Sequence, residues 1–298
     1  MVDFCGIELA HPIVNGSGTF DAIAARRTFG DALIDDFPFS AFVSKTITLC
    51  PRAGNPPPRL WEAPAGLINS IGLPNRGLDG YLEHDLPQLA ALGVPLITNV
   101  MGSTAAEVRQ LVEALDERAQ VAAIELNVSC PNVATGLDIG AEPGPLAALV
   151  RAVRPLTRKP LVVKLTPNCA DVATVAEAAE SEGADAVSLI NTLRASALDP
   201  GRGGRPWLGG GCGGLSGPAI RSVALAQVGA VARRVTIPIV GMGGVQSGEH
   251  ARDLIAAGAS LVAVGTASFR DPAAGSHIMS KLKSLQIAGS DATRPASG

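Results

Sequence analysis

Two copies of one pattern decide the fold: Gly183-Ala-Asp-Ala-Val187 running on to Asn191-Thr192, and Gly258-Ala-Ser-Leu-Val262 running on to Gly265-Thr266. In each copy a glycine follows a helical stretch, and a short apolar run then ends in a polar residue. Such a unit predicts a helix end, a tight turn and a buried strand. Its recurrence indicates a chain built from βα repeats.

Short apolar runs without polar alternation predict strands that are covered on both faces. Between several of them, Thr104, Asp171 and Ser247 stand where they can cap the first turn of an amphipathic helix. Eight strands with intervening helices favour a (β/α)8 TIM barrel, which is an α/β fold, with an open doubly wound sheet as the alternative. We expect a single domain over 1–298, ending in a frayed tail over 288–298. The predicted strands are Ile13–Gly16, Ala41–Thr46, Pro95–Val100, Ala122–Ser129, Leu161–Leu165, Ala186–Thr192, Ile237–Gly241 and Leu261–Thr266.

Two stretches do not follow the alternation of predicted strands and helices. A proline-rich insertion over Ile47–Gly93 separates the second and third strands, and a glycine-rich loop over Leu193–Ser216 follows the sixth. Loops of this length in a compact domain are usually lids or binding elements. Gly209-x-Gly211-x-x-Gly214 matches a dinucleotide fingerprint in form, but no predicted strand precedes it and Pro218 follows closely. We therefore interpret this stretch as a mobile loop.

Composition excludes several classes of function. The chain has 24 Lys and Arg against 27 Asp and Glu and no basic run, so a nucleic-acid partner is not expected. No uninterrupted apolar stretch approaches the roughly 18 residues of a membrane span, and Met1–Pro12 lacks the features of a signal peptide. The five cysteines are scattered and form no C-x-x-C motif, so we expect neither a disulfide framework nor a zinc site. These features predict a cytoplasmic protein.

Polar residues stand where the predicted strands end. In a barrel these ends converge on the active site. Asparagines offer both donors and acceptors, which suits a planar ligand with N–H and C=O edges, and glycine-rich ends of the last two strands are typical of a phosphate site. We predict a phosphate-bearing cofactor beside a small polar heterocycle, without a metal. The residues concerned are Ser17, Lys45, Thr46, Asn99, Asn127, Cys130, Lys164, Asn191, Thr192, Gly241–Gly244, Gly265 and Thr266.

Longer motifs resemble the catalytic subunit of class 1B dihydroorotate dehydrogenases. The resemblance extends from about Leu9 to Leu285, and the block with Cys130 at its centre is its most specific part. The motifs are Ala123-Ile-Glu-Leu-Asn-Val-Ser-Cys-Pro-Asn132, Lys45-Thr-Ile-Thr-Leu-Cys-Pro-Arg52 with Gly54-Asn-Pro-Pro-Pro-Arg59, Val163-Lys-Leu-Thr-Pro-Asn168, Gly213-Gly-Leu-Ser-Gly-Pro-Ala-Ile220 and Gly241-Met-Gly-Gly-Val245.

The resemblance implies an FMN-dependent oxidation of (S)-dihydroorotate to orotate in pyrimidine biosynthesis. It assigns Cys130 as the general base and places Lys45 near both substrate and flavin. The implied substrate-binding residues are Lys45, Asn69, Ser70, Ile71, Gly72, Leu73, Asn127, Asn132, Asn191 and Thr192. The implied FMN-binding residues are Ser17, Lys45, Thr46, Asn99, Asn127, Lys164, Ile190, Gly217, Gly243, Gly244, Gly265 and Thr266.

Reduced flavin must pass its electrons on, yet the sequence has neither a credible dinucleotide fingerprint nor the four-cysteine spacing of an iron–sulfur site. The resemblance implies a partner subunit with FAD and a [2Fe–2S] cluster that reduces NAD, in a heterotetramer around a homodimer of this chain. The stretch Trp61-Glu62-Ala63 and the loop Ala134–Pro145 depart from the family pattern. Three alternatives therefore stay open: a dehydrogenase of another dihydropyrimidine, a fumarate-reducing class 1A-like enzyme, and a barrel that binds a phosphorylated ligand without redox chemistry.

Overall fold

The computed structural model describes residues 1–128, 139–199, 201 and 203–292, with side chains to residue 287. Sixteen strands lie in these ranges, and eight of them form one parallel sheet in the order β3-β16-β15-β10-β9-β8-β7-β4. The strands are β1 (Val2–Phe4), β2 (Ile7–Leu9), β3 (Ile13–Asn15), β4 (Phe42–Val43), β5 (Leu60–Ala63), β6 (Gly66–Asn69), β7 (Leu96–Val100), β8 (Val121–Asn127), β9 (Leu161–Lys164), β10 (Ala186–Leu189), β11 (Leu193–Ala195), β12 (Leu198–Asp199), β13 (Arg205–Pro206), β14 (Gly213–Ser216), β15 (Ile239–Met242) and β16 (Leu261–Val264).

Each of the eight parallel strands overlaps one of the eight predicted runs, and the predicted (β/α)8 barrel is confirmed. Strand β4 is shorter than predicted, and β15 begins two residues and ends one residue later than predicted. The capping predictions are confirmed as well. Thr104 accepts a hydrogen bond from the Glu107 N–H at 3.2 Å, and Asp171 and Ser247 cap their helices in the same way. The α-helices are α1 (Ala22–Phe29), α2 (Ala32–Asp35), α3 (Gly77–Gly80), α4 (Leu86–Ala90), α5 (Ala105–Asp116), α6 (Pro143–Val153), α7 (Val172–Ser181), α8 (Arg221–Ala232), α9 (Gly248–Ala256) and α10 (Ala274–Ala292).

The barrel closes between β3 and β4 partly through side chains. The Asn15 amide donates to the Val43 carbonyl and accepts from the Val43 N–H. Beside it, the Ser40 N–H donates to the Ile13 carbonyl at 3.0 Å, and the Ser17 hydroxyl donates to the Ser44 carbonyl at 2.8 Å. These bonds satisfy main-chain groups that a regular ladder would otherwise pair.

An N-terminal hairpin covers one end of the barrel. Strands β1 and β2 pair in antiparallel fashion, and Phe4 is fully buried in one apolar cluster with Ala186 and Leu261, the first residues of β10 and β16. The hairpin therefore lies at the amino-terminal end of the parallel strands, which leaves the carboxyl-terminal end for a site. Among the helices over the described residues, none is long and apolar enough to cross a membrane.

The two insertions lie where the sequence predicts them, but they are not irregular loops. They join in a four-stranded antiparallel sheet of order β11-β14-β6-β5, and β12 pairs with β13 in a short ribbon. The stretch Leu193–Ser216, which the sequence predicts to be a glycine-rich loop, instead contains strands β11, β12, β13 and β14. Strand β14 begins with Gly213 and Gly214, where a Cβ would overlap the Asn69 carbonyl or the Thr192 side chain. This close packing requires glycine, which is why the strand lacks an apolar pattern.

Candidate active site

The carboxyl-terminal ends of the barrel strands surround a cleft of about 400 Å³. This volume lies in the range of small-molecule sites. Most of the residues predicted to bind substrate or cofactor line it, although they come from nearly every strand of the barrel. They are Ser17, Lys45, Thr46, Asn69, Ile71, Gly72, Leu73, Asn127, Lys164, Ile190, Asn191, Thr192, Gly217, Gly243, Gly244, Gly265 and Thr266.

A buried cation forms part of the cleft floor. Lys164 is the last residue of β9 and pairs in register with Asn127, the last residue of β8; the two are 6% and 7% exposed. Asn127 donates from Nδ2 to the Thr46 hydroxyl at 3.2 Å. A buried ammonium group is costly unless negative charge lies nearby. The floor is therefore suited to a ligand that carries, or develops, negative charge.

A second lysine, Lys45, lies in the open part of the cleft. Partial burial lowers the pKa of its ammonium group; Asp21 and Asp85 oppose this shift, whereas Arg59 adds to it. An anion bound in the cleft would favour the charged form of Lys45.

Two glycines that follow β15 form a cradle with one that follows β14. Gly243 and Gly244 have φ of 129° and 69°, and Gly217, which approaches them, has φ of 90°. A Cβ at Gly243 would lie 2.6 Å from the Ala224 Cβ, and one at Gly244 would lie 2.7 Å from the Arg221 Cβ. Only glycine fits here. Backbone N–H groups without side-chain cover, after strands seven and eight of a barrel, are a common phosphate site.

Two of the predicted site residues that the structure describes do not line the cleft. Asn99 is fully buried inside the barrel, and Ser70 is fully buried with its hydroxyl accepting from Asn55 Nδ2 at 3.0 Å. Cys130 and Asn132 lie outside the described residues. The roles of all four stay predictions.

The sequence interpretation missed one buried acidic residue and the apolar walls of the cleft. Glu125 is 4% exposed and bonds to Asn99 and Ser188 inside the barrel. A signal for it was present, because Glu125 stands two positions before Asn127 on one strand and so projects to the same face. The walls include Leu60, Leu67, Met242 and Phe269, of which only Met242 belongs to a predicted motif.

The described ranges contain no group of three or more His, Cys, Asp or Glu side chains that could hold a metal ion.

Comparisons with known proteins agree with this geometry. The family model described as "Dihydroorotate dehydrogenase" matches residues 1–285. A protein of Pelobacter propionicus named "Dihydroorotate dehydrogenase B (NAD(+)), catalytic subunit" is 46% identical over 278 residues, which is 93% of this chain and 90% of its own length. A protein of the same name from Desulforudis audaxviator is 45% identical over 286 residues, or 95% and 91% of the two chains.

The fold has a solved counterpart. The crystal structure of an Eimeria tenella dihydroorotate dehydrogenase in complex with ferulenol superimposes with a TM-score of 0.79 at 22% sequence identity, over 97% of this chain and 85% of that one. The family match and the identity of the curated relatives lead to one conclusion: this chain belongs to the dihydroorotate dehydrogenase family, in its class 1B branch.

Proposed function

We propose that this chain oxidises (S)-dihydroorotate to orotate in pyrimidine biosynthesis, with FMN as its cofactor. The observation that carries the proposal is one cleft, in which two lysines, several asparagine side chains and a glycine cradle meet at the ends of the barrel strands. The close relatives named as dihydroorotate dehydrogenase catalytic subunits support the same reaction.

Two features of the cleft support FMN as the cofactor. The cradle of Gly217, Gly243 and Gly244 suits the phosphate, because a Cβ at any of these positions would lie within 3 Å of neighbouring atoms. Lys164 supplies a buried positive charge at the floor, suited to the electron-rich edge of a reduced flavin. The other proposed FMN contacts are Ser17, Lys45, Thr46, Asn99, Asn127, Ile190, Gly265 and Thr266, within one FMN-binding domain over 1–298.

The asparagines suit a pyrimidine ring whose edge alternates N–H and C=O groups. Asn69 donates from Nδ2 to the Gly214 carbonyl at 3.2 Å, which holds its amide at the cleft wall. Lys45 is the proposed partner of the substrate carboxylate. Further proposed substrate contacts are Ser70, Ile71, Gly72, Leu73, Asn127, Asn132, Asn191 and Thr192.

Oxidation removes a proton from C5 and a hydride from C6 of dihydroorotate. When bound, FMN supplies the hydride acceptor. The thiolate of Cys130 is the proposed acceptor of the C5 proton, on the basis of its sequence motif. A free cysteine has a pKa of about 8.5, so the thiolate is a minority form near neutral pH. Neighbouring groups must therefore favour the thiolate. The fixed charge of Lys164 stabilises the negative charge that develops in the cleft.

A separate subunit is the proposed electron acceptor. The relatives' name, "catalytic subunit", supports a multi-subunit enzyme, and this sequence carries no credible dinucleotide fingerprint of its own. We propose a partner with FAD and a [2Fe–2S] cluster that reduces NAD, a heterotetramer around a homodimer of this chain, and a cytoplasmic location.

Two binding measurements test this proposal. The flavin released from the purified chain should be FMN, at about one per chain. Adding orotate should perturb the absorbance spectrum of the bound flavin, whereas uracil, which lacks the carboxylate, should need far higher concentrations. A colourless protein that binds no FMN, or an identical response to orotate and uracil, would contradict the assignment.

A further inference from the structure

A buried carboxylate lies inside the barrel and has no part in the reaction described above. Glu125, on β8, accepts a hydrogen bond at Oε2 from Nδ2 of Asn99, its register partner on β7. Its second oxygen, Oε1, accepts from the Ser188 hydroxyl at 2.6 Å, on β10. Each carboxylate oxygen therefore binds one donor, and the three side chains connect strands on both sides of β9.

Asn99 itself is almost completely satisfied by the protein. It is fully buried, its N–H donates to the Ser44 hydroxyl at 3.0 Å, and its carbonyl accepts from the Ile47 N–H at 3.0 Å. Its Oδ1 is different, since it has no hydrogen-bond partner within the described part of the chain. An unpaired buried acceptor is unfavourable, so such an atom indicates a missing donor.

The carboxylate of Glu125 determines which atom of the Asn99 amide, Nδ2 or Oδ1, has no hydrogen-bond partner. A carboxylate offers only acceptors, so the atom that meets it must be the NH₂ group, and the oxygen must remain free. An oxidised isoalloxazine ring carries a single N–H, at N3, and its other polar edge atoms are acceptors. A free Oδ1 is complementary to this N–H, whereas a free Nδ2 would not be.

We propose that Glu125 is a positioning residue for the flavin: it fixes the Asn99 amide so that Oδ1 remains free to accept the N3–H of the isoalloxazine. This inference rests on the proposed function, because it requires FMN in the cleft. Asn99 lies beneath that cleft, since Glu125, its register partner, precedes the cleft residue Asn127 by two positions on one face of β8.

Three variants separate positioning from simple packing. Glu125→Leu removes both acceptors and leaves the Asn99 amide free to rotate. Glu125→Gln can retain the orientation, because its oxygen can face Asn99 while its NH₂ donates to the Ser188 oxygen. Glu125→Met also removes both oxygen acceptors, but it keeps a side chain of similar length that fills the space.

The experiment uses the full chain loaded with FMN that is ¹⁵N-labelled at N3. The wild type and Glu125→Gln should show a protected N3–H resonance, and Ser188→Ala should do the same. Glu125→Leu and Glu125→Met should lose that resonance and bind FMN about tenfold or more weakly, as expected for one lost hydrogen bond. Circular dichroism checks that each variant is folded.

A resonance that persists in Glu125→Met, with unchanged FMN affinity, would overturn the positioning role, even if Glu125→Leu fails to fold. A wild-type chain that binds no FMN would contradict the proposed function itself, and this inference with it.

Discussion

The side chain of Asn15 replaces a stretch of β-ladder opposite Val43. Its amide donates to the Val43 carbonyl and accepts from the Val43 N–H, each at 2.8 Å, where strands β3 and β4 meet. Asn15 is fully buried, so neither main-chain group of Val43 has water as a substitute partner. At Val43, the closure of the barrel therefore depends on one side chain.

Replacing Asn15 by leucine, which has a similar volume, should destabilise the protein. The change leaves a buried N–H and a buried C=O unpaired, at a cost of about 2–4 kcal/mol in the free energy of unfolding. Ser17→Ala removes one bond at the partly exposed end of the same seam and should cost less than about 1 kcal/mol. Urea unfolding of the two variants measures both values. Equal stability of Asn15→Leu and the wild type would show that the barrel closes without this contact.

The glycine cradle can be tested with a matched pair of substitutions. Gly244 and Gly93 have nearly the same φ, 69° and 72°, so Ala at either position incurs similar backbone strain. A Cβ at Gly244 would lie 2.9 Å from the Gly217 carbonyl, whereas one at Gly93 meets nothing within 4 Å.

Gly244→Ala should therefore weaken FMN binding by about tenfold or more, while Gly93→Ala should change only stability. Flavin fluorescence during dissociation measures the affinity of each. A similar loss of FMN in both variants would contradict the proposal that the cradle binds the phosphate.

The barrel was predictable because its strands are continuous apolar runs covered on both faces, as in Leu161–Lys164 and Leu261–Val264. The sheet made by the insertions was not. Strand β5 is partly exposed and β14 begins with two glycines, so neither shows an apolar alternation, and β6 and β14 pair over a long separation in sequence.

For the site, polar residues at strand ends predicted the cleft surface well. The hidden position of Asn99 and its bond to Glu125 depend on which strands become neighbours, and this information appears only in the folded barrel.

Lys164→Ala should weaken FMN retention. The substitution removes a buried cation from the cleft floor, and loss of one charge-assisted hydrogen bond corresponds to roughly 10- to 100-fold in affinity. Lys281→Ala is the control, because Lys281 pairs with Glu249 at 3.3 Å on the surface. Flavin content after dialysis measures the effect. Full occupancy of Lys164→Ala would contradict the assignment.

Orotate binding should weaken as the pH rises. Burial lowers the pKa of Lys45 from its ordinary value, so in the free enzyme Lys45 loses its proton below the usual pKa of about 10.4. Only the protonated form attracts the carboxylate, and affinity should fall by up to about tenfold per pH unit above that lowered pKa.

Arginine stays charged throughout this range, so Lys45→Arg, if it binds orotate, should lose this pH dependence. Flavin absorbance titrations at several pH values give the dissociation constants. If the affinity of Lys45→Arg for orotate decreased at high pH in the same way, the pH dependence would belong to a group other than Lys45.

The most direct test of the proposed reaction is anaerobic mixing of the FMN-loaded chain with dihydroorotate, followed by the visible absorbance of the flavin. The wild type should bleach with dihydroorotate and form one orotate per flavin, and it should not bleach with dihydrouracil. Cys130→Ser should keep its FMN but bleach at least about 100-fold more slowly near pH 7, whereas Cys212→Ser, at an exposed cysteine, should behave as the wild type. An unbleached flavin in the wild type, or an undiminished rate in Cys130→Ser, would contradict this account.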